Sequence, residues 1–427
     1  MLVASPSDQR WFGHPRGLTV LFMTETAAYF SAYGLQALLV LYITRHLAQP
    51  QANASAIFGL YTAAANLTPL LGGYIADRYL GNTRSVVLGG TLMALGHLAM
   101  VWESQMWTGL ALVAFGNGFF ITSLASQIGS LYSVADPRRD QGFIIYYLGI
   151  NVGAFLAPIT CGWLAQAYGW HYGFAAAALV MAAGLVVYLT MLPLIRPVSF
   201  VASADTSGKV AAAATPRDRL RVLALVLGLV ILFRLGYEQT GNTIAIWIDR
   251  HTVRMVGNMS IPAAWFQSLN PLLIFLFAPL LSAFWNRRAG DALTATLRKL
   301  KIGCALAAIA YVVMIGASIE WERHGHASML WALGFFLFMT LAELHVLPVG
   351  LSLFARLSPA AHASLMIGIW YGAKFIASLT AGAFGTLWEA LGPMLFFGIN
   401  VAVAVAAMML THVVGRKHLV RQLAESA

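Results

Sequence analysis

Twelve long apolar stretches run through almost the whole of this 427-residue chain. Most are about 20 residues or longer, the length that an α-helix needs to cross roughly 30 Å of hydrocarbon. The chain is 59% apolar and 10% charged, with a mean hydropathy of +0.73, whereas a soluble domain carries about 25% charged residues. This composition excludes an ordinary soluble enzyme, a disordered chain and a nucleic-acid-binding protein. The predicted spans are 18–47, 55–76, 85–104, 107–133, 141–166, 171–194, 219–249, 260–285, 299–318, 327–355, 362–388 and 393–413.

The basic residues are distributed unevenly between the two sides of these spans. If the N-terminus is cytoplasmic, 20 of the 26 Lys and Arg residues fall in cytoplasmic segments and four fall in outer loops. Such an excess on one side orients membrane proteins, and it also explains the net charge of +10. We therefore expect an integral protein of a bacterial inner (plasma) membrane with both termini in the cytoplasm. The two remaining cations, Arg234 and Lys374, lie inside predicted spans.

A polar segment at 195–218 separates six spans from the next six. Two six-helix bundles built around a central cavity are the layout of the major facilitator superfamily. The sequence thus predicts an all-α fold of twelve transmembrane helices in two bundles, 1–194 and 219–427, joined by a cytoplasmic linker at 195–218. The first span is too long for the core of a signal peptide, so we expect it to remain in the protein.

The turn between the second and third spans reads GGYIADRYLGNTR at 72–84. It resembles the superfamily loop motif G-x-x-x-D-R-x-G-x-R, with one extra residue before the second glycine. We expect Gly73 to permit a close helix approach and Gly81 to permit a tight turn. Asp77, together with Arg78 and Arg84, is predicted to link neighbouring helix ends. The alternative is a generic basic cytoplasmic turn.

Six further segments, in the same order as in the family, resemble the proton-dependent oligopeptide transporters. These segments are FIIYYLGINVG at 143–153, EQ at 238–239, FQSLNP at 266–271, TLAE at 340–343, PVGLS at 348–352 and MIGIW at 366–370. The resemblance implies transport of short peptides by alternating access, coupled to protons. Bacterial members often carry an additional helix pair between the halves, but 195–218 is too short and too polar to contain one.

The first span departs from the pattern of that family. The family motif E-x-x-E-R is reduced here to Glu25, because Ala28 and Tyr29 stand at the other two positions. Gln36 replaces the arginine that usually meets the peptide carboxylate, and Ile121 replaces the lysine of the fourth span. The resemblance places proton coupling and carboxylate binding at these positions, so these departures leave open how, and whether, protons are coupled.

Glu25 shares one helix face with Tyr29 and Gln36, since residues three or four apart lie on the same side, and Tyr33 is a near neighbour. A carboxyl in mid-membrane is costly and should face the bundle interior or a water-filled cavity. We therefore predict that Glu25 carries the coupled proton and that Tyr33 and Gln36 contact substrate. The alternative for Glu25 is a structural hydrogen bond to a neighbouring helix.

The second half carries the charged residues that the first half lacks. Glu343 matches the family glutamate that meets the amino group of a peptide, and we expect it to serve in substrate binding and in proton coupling. In the family, the glutamate at the position of Glu238 pairs with the lysine of the fourth span, which is Ile121 in this chain. Here Arg234 lies one helical turn before Glu238. Our hypothesis is that Arg234 or Lys374 meets the anionic end of a substrate. In the alternative, Arg234 only neutralises Glu238 and Lys374 extends to the interface.

Amide and aromatic side chains complete the predicted binding site. Asn151 and Asn270 lie in opposite halves, and amides can both donate to and accept from a peptide backbone. Tyr147 and Trp370 are predicted to form apolar walls. At the end of the seventh span, Asp249 is a candidate for a gate, but no basic residue stands near the start of the second span, so the usual ion pair is expected to be absent.

Other functions remain open at the level of sequence. Within transport, the alternatives are a cationic drug/proton antiporter and a proton-independent uniporter. An enzyme is not expected, since the chain contains neither H-E-x-x-H, G-x-S-x-G nor a P-loop, and no cofactor or metal is predicted. A receptor built on a transporter fold is a further possibility. The expected partners are a small peptide or peptide-like substrate, protons and membrane lipid, with no nucleic acid, and the protein is expected to be a monomer.

Overall fold

The computed structural model of the chain describes residues 10–11, 13–133, 136–195, 216–287, 292–358 and 363–416. Helices dominate these residues, and ten helical segments are long and apolar enough to cross a membrane. The prediction of an all-helical membrane protein is therefore confirmed. The predicted spans 85–104 and 362–388 also contain helices, but these two are not among the ten, and the count of twelve spans stays a prediction.

The part of the first half that the structure describes contains six helices. They are α1 (Arg16–Leu41), α2 (Gln51–Ile75), α3 (Asn82–Ala99), α4 (Met106–Ser130), α5 (Arg139–Ala167) and α6 (Trp170–Thr190). Five residues of π-helix extend α1 over Tyr42–His46 and α2 over Ala76–Leu80, and 3₁₀ turns cover Glu103–Gln105 and Leu192–Leu194.

Within the described residues, the second half contains seven helices, because one predicted span is interrupted. They are α7 (Pro216–Tyr237), α8 (Thr243–His251), α9 (Leu269–Asn286), α10 (Ala292–His324), α11 (Met329–Leu357), α12 (Ala363–Gly385) and α13 (Trp388–Arg416). A 3₁₀ turn at Glu238–Gly241 joins α7 to α8, and another at Ala263–Ser268 precedes α9.

The span predicted at 219–249 corresponds to the candidate span Val222–His251, but its helix is interrupted by the 3₁₀ turn. The chain leaves helical geometry at Asn242, where φ is −113° and ψ is −104°. Side chains supply the hydrogen bonds that the break removes from the backbone: the Tyr311 hydroxyl donates to the Gly236 carbonyl, and the Thr240 hydroxyl donates to that of Tyr237. An apolar pattern continues through the break, so hydropathy alone does not reveal it.

Three pairs of two-residue strands were not predicted. β1 (Arg10–Trp11) pairs with β2 (His14–Pro15), β3 (Thr252–Val253) pairs in parallel with β6 (Ala327–Ser328), and β4 (Met255–Val256) pairs with β5 (Met259–Ser260). The last two pairs lie in the loops that follow α8 and α10, so their short ladders organise loops rather than a sheet core.

The chain divides into two compact units. Unit 1 comprises Met1–Leu38 and Ala64–Asp205, and unit 2 comprises Leu39–Ala63 and Thr206–Ala427. The end of α1 and the first half of α2 thus group with the second half of the chain. The predicted linker 195–218 lies largely outside the described residues, and the predicted domain boundaries stay a prediction.

Within unit 1, α3 and α4 approach so closely that side chains are excluded from the contact. A Cβ on Gly89 would lie 2.6 Å from the carbonyl oxygen of Gly116. Small residues allow such contacts between membrane helices, where packing rather than the hydrophobic effect drives association. The aromatic rings of Phe120, Tyr132 and Tyr188 are fully buried in the core of this unit.

Candidate functional site

The last turn of α7 carries an ion pair between Arg234 and Glu238, residues that are four apart and so face each other. Both side chains are largely buried, with exposed fractions of 12% and 6%. The hydroxyl of Ser378 on α12 also lies 3.4 Å from Oε1 of Glu238 and donates to it. Glu238 is therefore held from two helices, and Arg234 already has a carboxylate partner.

A second carboxylate lies beside this pair on α11. Nδ2 of Asn270 donates to Oε2 of Glu343 over 2.6 Å, and the same amide lies 3.2 Å from the hydroxyl of Thr340. Glu343 also interacts with Tyr237 and, electrostatically, with Arg234. It is half-buried and lies within reach of the Tyr237 hydroxyl. Asn270 fixes the orientation of this carboxylate.

Lys374 on α12 completes the group. Its Nζ lies 5.0 Å from the centre of the Tyr371 ring, within the range of a cation–π interaction. It interacts electrostatically with both Arg234 and Glu238, yet no ion pair joins it to a carboxylate within the described ranges. The side chain is half-buried. Lys374 is thus a cation whose direct partner is an aromatic face.

We call Arg234, Glu238, Glu343 and Lys374 the ionic cluster. It is formed by three helices of unit 2 and contains two positive and two negative side chains. A zwitterionic ligand carries one ammonium and one carboxylate, and Glu343 and Lys374 offer the complementary groups for them. The cluster is electrically balanced when empty, which lowers the cost of keeping it in a membrane.

Trp370 and Asn151 differ in how deeply they are buried and in the contacts that they already make. Trp370 is half-buried, and its ring lies 5.4 Å from that of Phe354. Asn151 is buried, and its Nδ2 donates over 3.0 Å to the carbonyl of Tyr147 on the same helix. Its amide nitrogen is therefore used within α5. The Tyr147 side chain is half exposed.

Glu25 in unit 1 has a different environment from the ionic cluster. It is completely buried, and neither carboxyl oxygen has a hydrogen-bond partner at bonding geometry among the described residues. The Tyr146 side chain on α5 is a polar neighbour. On the same face of α1, Tyr29 and Tyr33 stack with ring centres 6.0 Å apart, and Gln36 is half-buried. Glu25 is thus a fully buried acidic group beside the uncharged Tyr146 side chain.

Asp249 at the end of α8 has a basic partner after all, which corrects the sequence expectation. Arg45, in the π-helical end of α1, donates to its carboxylate, and Arg254 binds the other oxygen over 3.1 Å. The partner comes from the end of the first span rather than from the start of the second. The available signal was that Arg45 is one of only four basic residues in the predicted outer loops.

A buried polar network lies next to this ion pair and was missed by the sequence analysis. Nε2 of Gln51 donates to the Ser55 hydroxyl and to the Gly385 carbonyl, and Ser55 donates to Oδ1 of Asn242 over 2.7 Å. Asn242 in turn contacts Gln239, the residue after Glu238. The network therefore joins the start of α2 to the break between α7 and α8.

A backbone contact continues that packing one turn further along α2. A Cβ on Gly59 would lie 2.4 Å from the Cα of Gly382 on α12. Neither position can accept a side chain without separation of the two helices. The start of α2, the α7–α8 break and α12 are thus held together in unit 2 by hydrogen bonds and direct backbone contact.

The family of this fold follows from a comparison with known proteins. The model of the POT family, PTR2, matches residues 83–215 and 194–392. The chain belongs to the POT family. This confirms the resemblance drawn from the six sequence segments and makes the chain a member of a family of integral membrane transporters.

Full-length relatives of this POT family member are similar over nearly their whole length. It is 30% identical to the peptide transporter YePEPT of Yersinia enterocolitica, with 95% of each chain covered. It is 29% identical to a di-/tripeptide transporter of Lactococcus lactis subsp. cremoris, with 92% of this chain and 94% of the relative covered. A crystal structure of a mutant POT peptide transporter in complex with alafosfalin is 25% identical, with a TM-score of 0.83 and coverage of 96% of this chain and 97% of that one.

The loop motif of this POT family member has the expected turn but a shifted helix contact. Gly81 adopts a φ of +73°, which glycine accepts without strain. The close approach falls at Gly72, where a Cβ would lie 2.4 Å from backbone atoms of Gly118, whereas Gly73 has room for a Cβ. The prediction for Gly73 is therefore displaced by one residue.

The charged residues of this motif lie at the protein surface. Asp77, Arg78 and Arg84 are exposed, and the Arg78 guanidinium lies 3.2 Å from the hydroxyl of Tyr74. Within the described segments Asp77 makes no ion pair. The predicted link between helix ends through Asp77 remains a prediction.

Proposed function

We propose that this POT family member is a secondary active transporter of short peptides or peptide-like compounds, working by alternating access and driven by protons. The observation that carries this proposal is the ionic cluster: half-buried carboxylate and ammonium groups, Glu343 and Lys374, stand within membrane helices of one unit. The printed names of the relatives, a peptide transporter and a di-/tripeptide transporter, support the same substrate class.

Glu343 binds the amino end of the substrate in this proposal. Nδ2 of Asn270 donates to one oxygen of Glu343 over 2.6 Å. Because a carboxylate is planar, this hydrogen bond also fixes the orientation of the other oxygen. A charge-assisted hydrogen bond to an ammonium is roughly twice as strong as a neutral one. Asn270 and Trp370 contribute a polar group and an apolar surface to the same site.

Lys374 binds the carboxylate end, because Arg234 is already paired with Glu238. An ammonium held against a ring at 5.0 Å exchanges a cation–π contact for an ion pair when substrate arrives. Glu238 stabilises the positive charge of Lys374, whereas Arg234 repels it, and the substrate carboxylate adds a second favourable partner. In the family, a basic residue of the first half binds the substrate carboxylate. In this proposal Lys374 of the second half takes over that role.

Glu25 carries the coupled proton, and Glu343 is the second candidate. A fully buried carboxyl with no charged partner, only the uncharged Tyr146 side chain beside it, is most stable in its neutral, protonated form. Loss of that proton creates an unpaired charge in unit 1, which has no intramembrane Lys or Arg among its predicted spans. Proton release therefore favours a different arrangement of the unit, as coupling requires.

The contacts at the start of α2 act as the gate on the side where α8 ends. Asp249 and its two arginines form the outer part, and the Gln51–Ser55–Asn242 network forms the buried part. Opening this gate breaks both sets of contacts and the Gly59–Gly382 approach. Since the network reaches Gln239, next to Glu238, it gives the cluster a direct mechanical connection to the gate.

The proposal is tested with purified protein in liposomes. Uptake of a labelled dipeptide should require an inward proton gradient and should collapse when an uncoupler is added. Lys374→Ala should abolish uptake while Lys301→Ala, which removes a lysine near a helix end, should not. Uptake indifferent to pH and uncoupler would instead indicate a uniporter, and efflux of a cationic drug in exchange for protons would indicate an antiporter.

A further inference from the structure

The loop between α8 and the 3₁₀ turn at Ala263 folds into a small hairpin whose tip, residues 255–259, carries Met255, Val256 and Met259 around a Gly257–Asn258 turn. β4 pairs with β5, and Ile261 donates its backbone N–H to the Arg254 carbonyl over 2.8 Å at the base. A two-residue turn closes the tip, with Gly257 at a φ of +58°. Such turns need a positive φ at the first central position, which glycine supplies.

The hairpin exposes large apolar side chains to its surroundings. Met255, Val256 and Met259 are about half exposed, at 50%, 49% and 53%, and Val253 just before them is 43% exposed. No charged residue occurs between Met255 and the start of the next span. Exposed contiguous apolar surface of this kind marks an interaction site.

The charge nearest to the tip is directed away from it. Arg254 donates to the carboxylate of Asp249 and to the carbonyl of Ile261, and its side chain is 15% exposed. The hairpin thus keeps its cation at the base and its apolar side chains at the end. This separation resembles that of segments that bind the boundary between headgroups and acyl chains.

The position of the hairpin in the chain places it beside the membrane surface. It connects two candidate spans, Val222–His251 and Ala263–Asn286. With three residues beyond the base at about 3.3 Å each, the tip extends about 10 Å from it. The headgroup region is about 5–8 Å deep on each side of the hydrocarbon, so a hairpin of this height lies within or next to it.

Aromatic residues near the base of the hairpin also favour a position at the membrane–water interface. β3 pairs with β6, and the ring of His251 lies 4.4 Å from that of Trp321 near the end of α10. Tryptophan is enriched at the membrane–water interface, where its amphipathic ring fits both environments. β3, which directly precedes the hairpin, thus lies close to a residue type that favours the interface.

We propose that residues 253–260 form an interfacial anchor that inserts its apolar tip between the phospholipid headgroups of the leaflet at which α8 ends. The partner is the lipid bilayer. The hairpin contacts its phospholipids where the glycerol backbone meets the acyl chains. The anchor holds the end of α8, and with it Asp249, at a fixed depth. This inference depends on the membrane location of the chain and not on the substrate proposed above.

The test uses the full chain in nanodiscs of phosphatidylcholine, with a bimane fluorophore on Val256→Cys. A matched label on Arg323→Cys, an exposed position in the charged last turn of α10, serves as the water-exposed control. The label at 256 should emit at shorter wavelength than the control and lose intensity when lipids brominated near the glycerol backbone replace the ordinary lipid. The label at 323 should show neither effect.

A second variant separates insertion from a general loss of structure. Adding Met259→Asp to the labelled Val256→Cys protein should shift the emission towards that of the control and reduce the quenching, with dipeptide uptake retained. Equal emission from 256 and 323 with no quenching by brominated lipid would overturn the proposal. Cross-linking of Val256→Cys between two copies, without lipid quenching, would also overturn it and would assign the surface to a dimer.

Discussion

The two units keep ionisable side chains in their helices in opposite ways. In unit 2, four charged residues from three helices pair with one another or with nearby polar groups, and the cluster is neutral as a whole. In unit 1, Glu25 is fully buried with neither oxygen hydrogen-bonded among the described residues. Under the function proposed above, the first arrangement would bind the charged ends of a substrate, and Glu25 in the second would bind a proton.

The strongest test of this comparison is the removal of Glu343. Glu343→Ala should reduce uptake of dipeptides with a free amino group by roughly 30-fold or more, since loss of one partner of a buried, hydrogen-bonded charge pair costs 2–5 kcal/mol. Initial rates in liposomes measure this effect. Amino-acetylated dipeptides, whose uptake should be weak in both proteins, provide the control, and equal sensitivity of both substrates to the mutation would contradict the role.

Lys374 should show the complementary selectivity with a similar or slightly smaller effect. Lys374→Ala should abolish uptake of dipeptides with a free carboxylate, while Lys374→Arg should retain part of it because the charge is preserved. Competition by carboxy-amidated dipeptides should be unchanged in the alanine variant. The thermal unfolding midpoint of each variant shows whether folding is intact, and normal uptake by a folded Lys374→Ala protein would refute the assignment.

Glu25 should affect coupling without affecting binding. Glu25→Gln keeps the shape of a protonated carboxyl but cannot release a proton, so accumulation driven by a pH gradient should be lost while exchange of labelled for unlabelled dipeptide continues. The two assays in the same liposomes measure the split. Stability should not fall, because the variant removes a potentially unpaired charge. Loss of exchange together with accumulation would place Glu25 in substrate binding instead.

The gate ion pair should give the smallest effect. Arg45 is about half exposed, and exposed ion pairs contribute about 0–1 kcal/mol, so Asp249→Asn should change the apparent KM for dipeptide by no more than about fivefold. Ser55→Ala breaks the buried network and should have a larger effect than Asp249→Asn on the accessibility of the cluster to water-soluble thiol reagents at an introduced Ser378→Cys. The opposite order would show that the surface pair dominates the gate.

Sequence was most informative where the decisive contact is local. The pairing of Arg234 with Glu238 follows from a spacing of four residues on a helix, and the apolar lengths predict the membrane helices. The hydrogen bond from Asn270 to Glu343 joins residues 73 apart, and the pair of Arg45 with Asp249 joins residues 204 apart. No periodicity encodes such distances, which depend on how the helices pack.

The break between α7 and α8 escaped the sequence analysis for another reason. Apolar residues continue on both sides of it, and the polar residues Gln239, Thr240 and Asn242 at the break also fit the expectation of a ligand site in a span. What they do instead is bond to the backbone and to one another. The presence of a polar side chain in a membrane helix therefore does not show whether that side chain binds a ligand or satisfies backbone groups at a break in the helix.

That repair has a consequence for the unloaded carrier. The carbonyls exposed at the end of α7 are capped by Tyr311 and Thr240 from the protein itself, so the bent segment needs no bound ion or solute to complete its hydrogen bonding. In the transport cycle proposed above, the break would therefore persist during the return step without a bound solute, and the binding energy of the solute would be available to open the proposed gate.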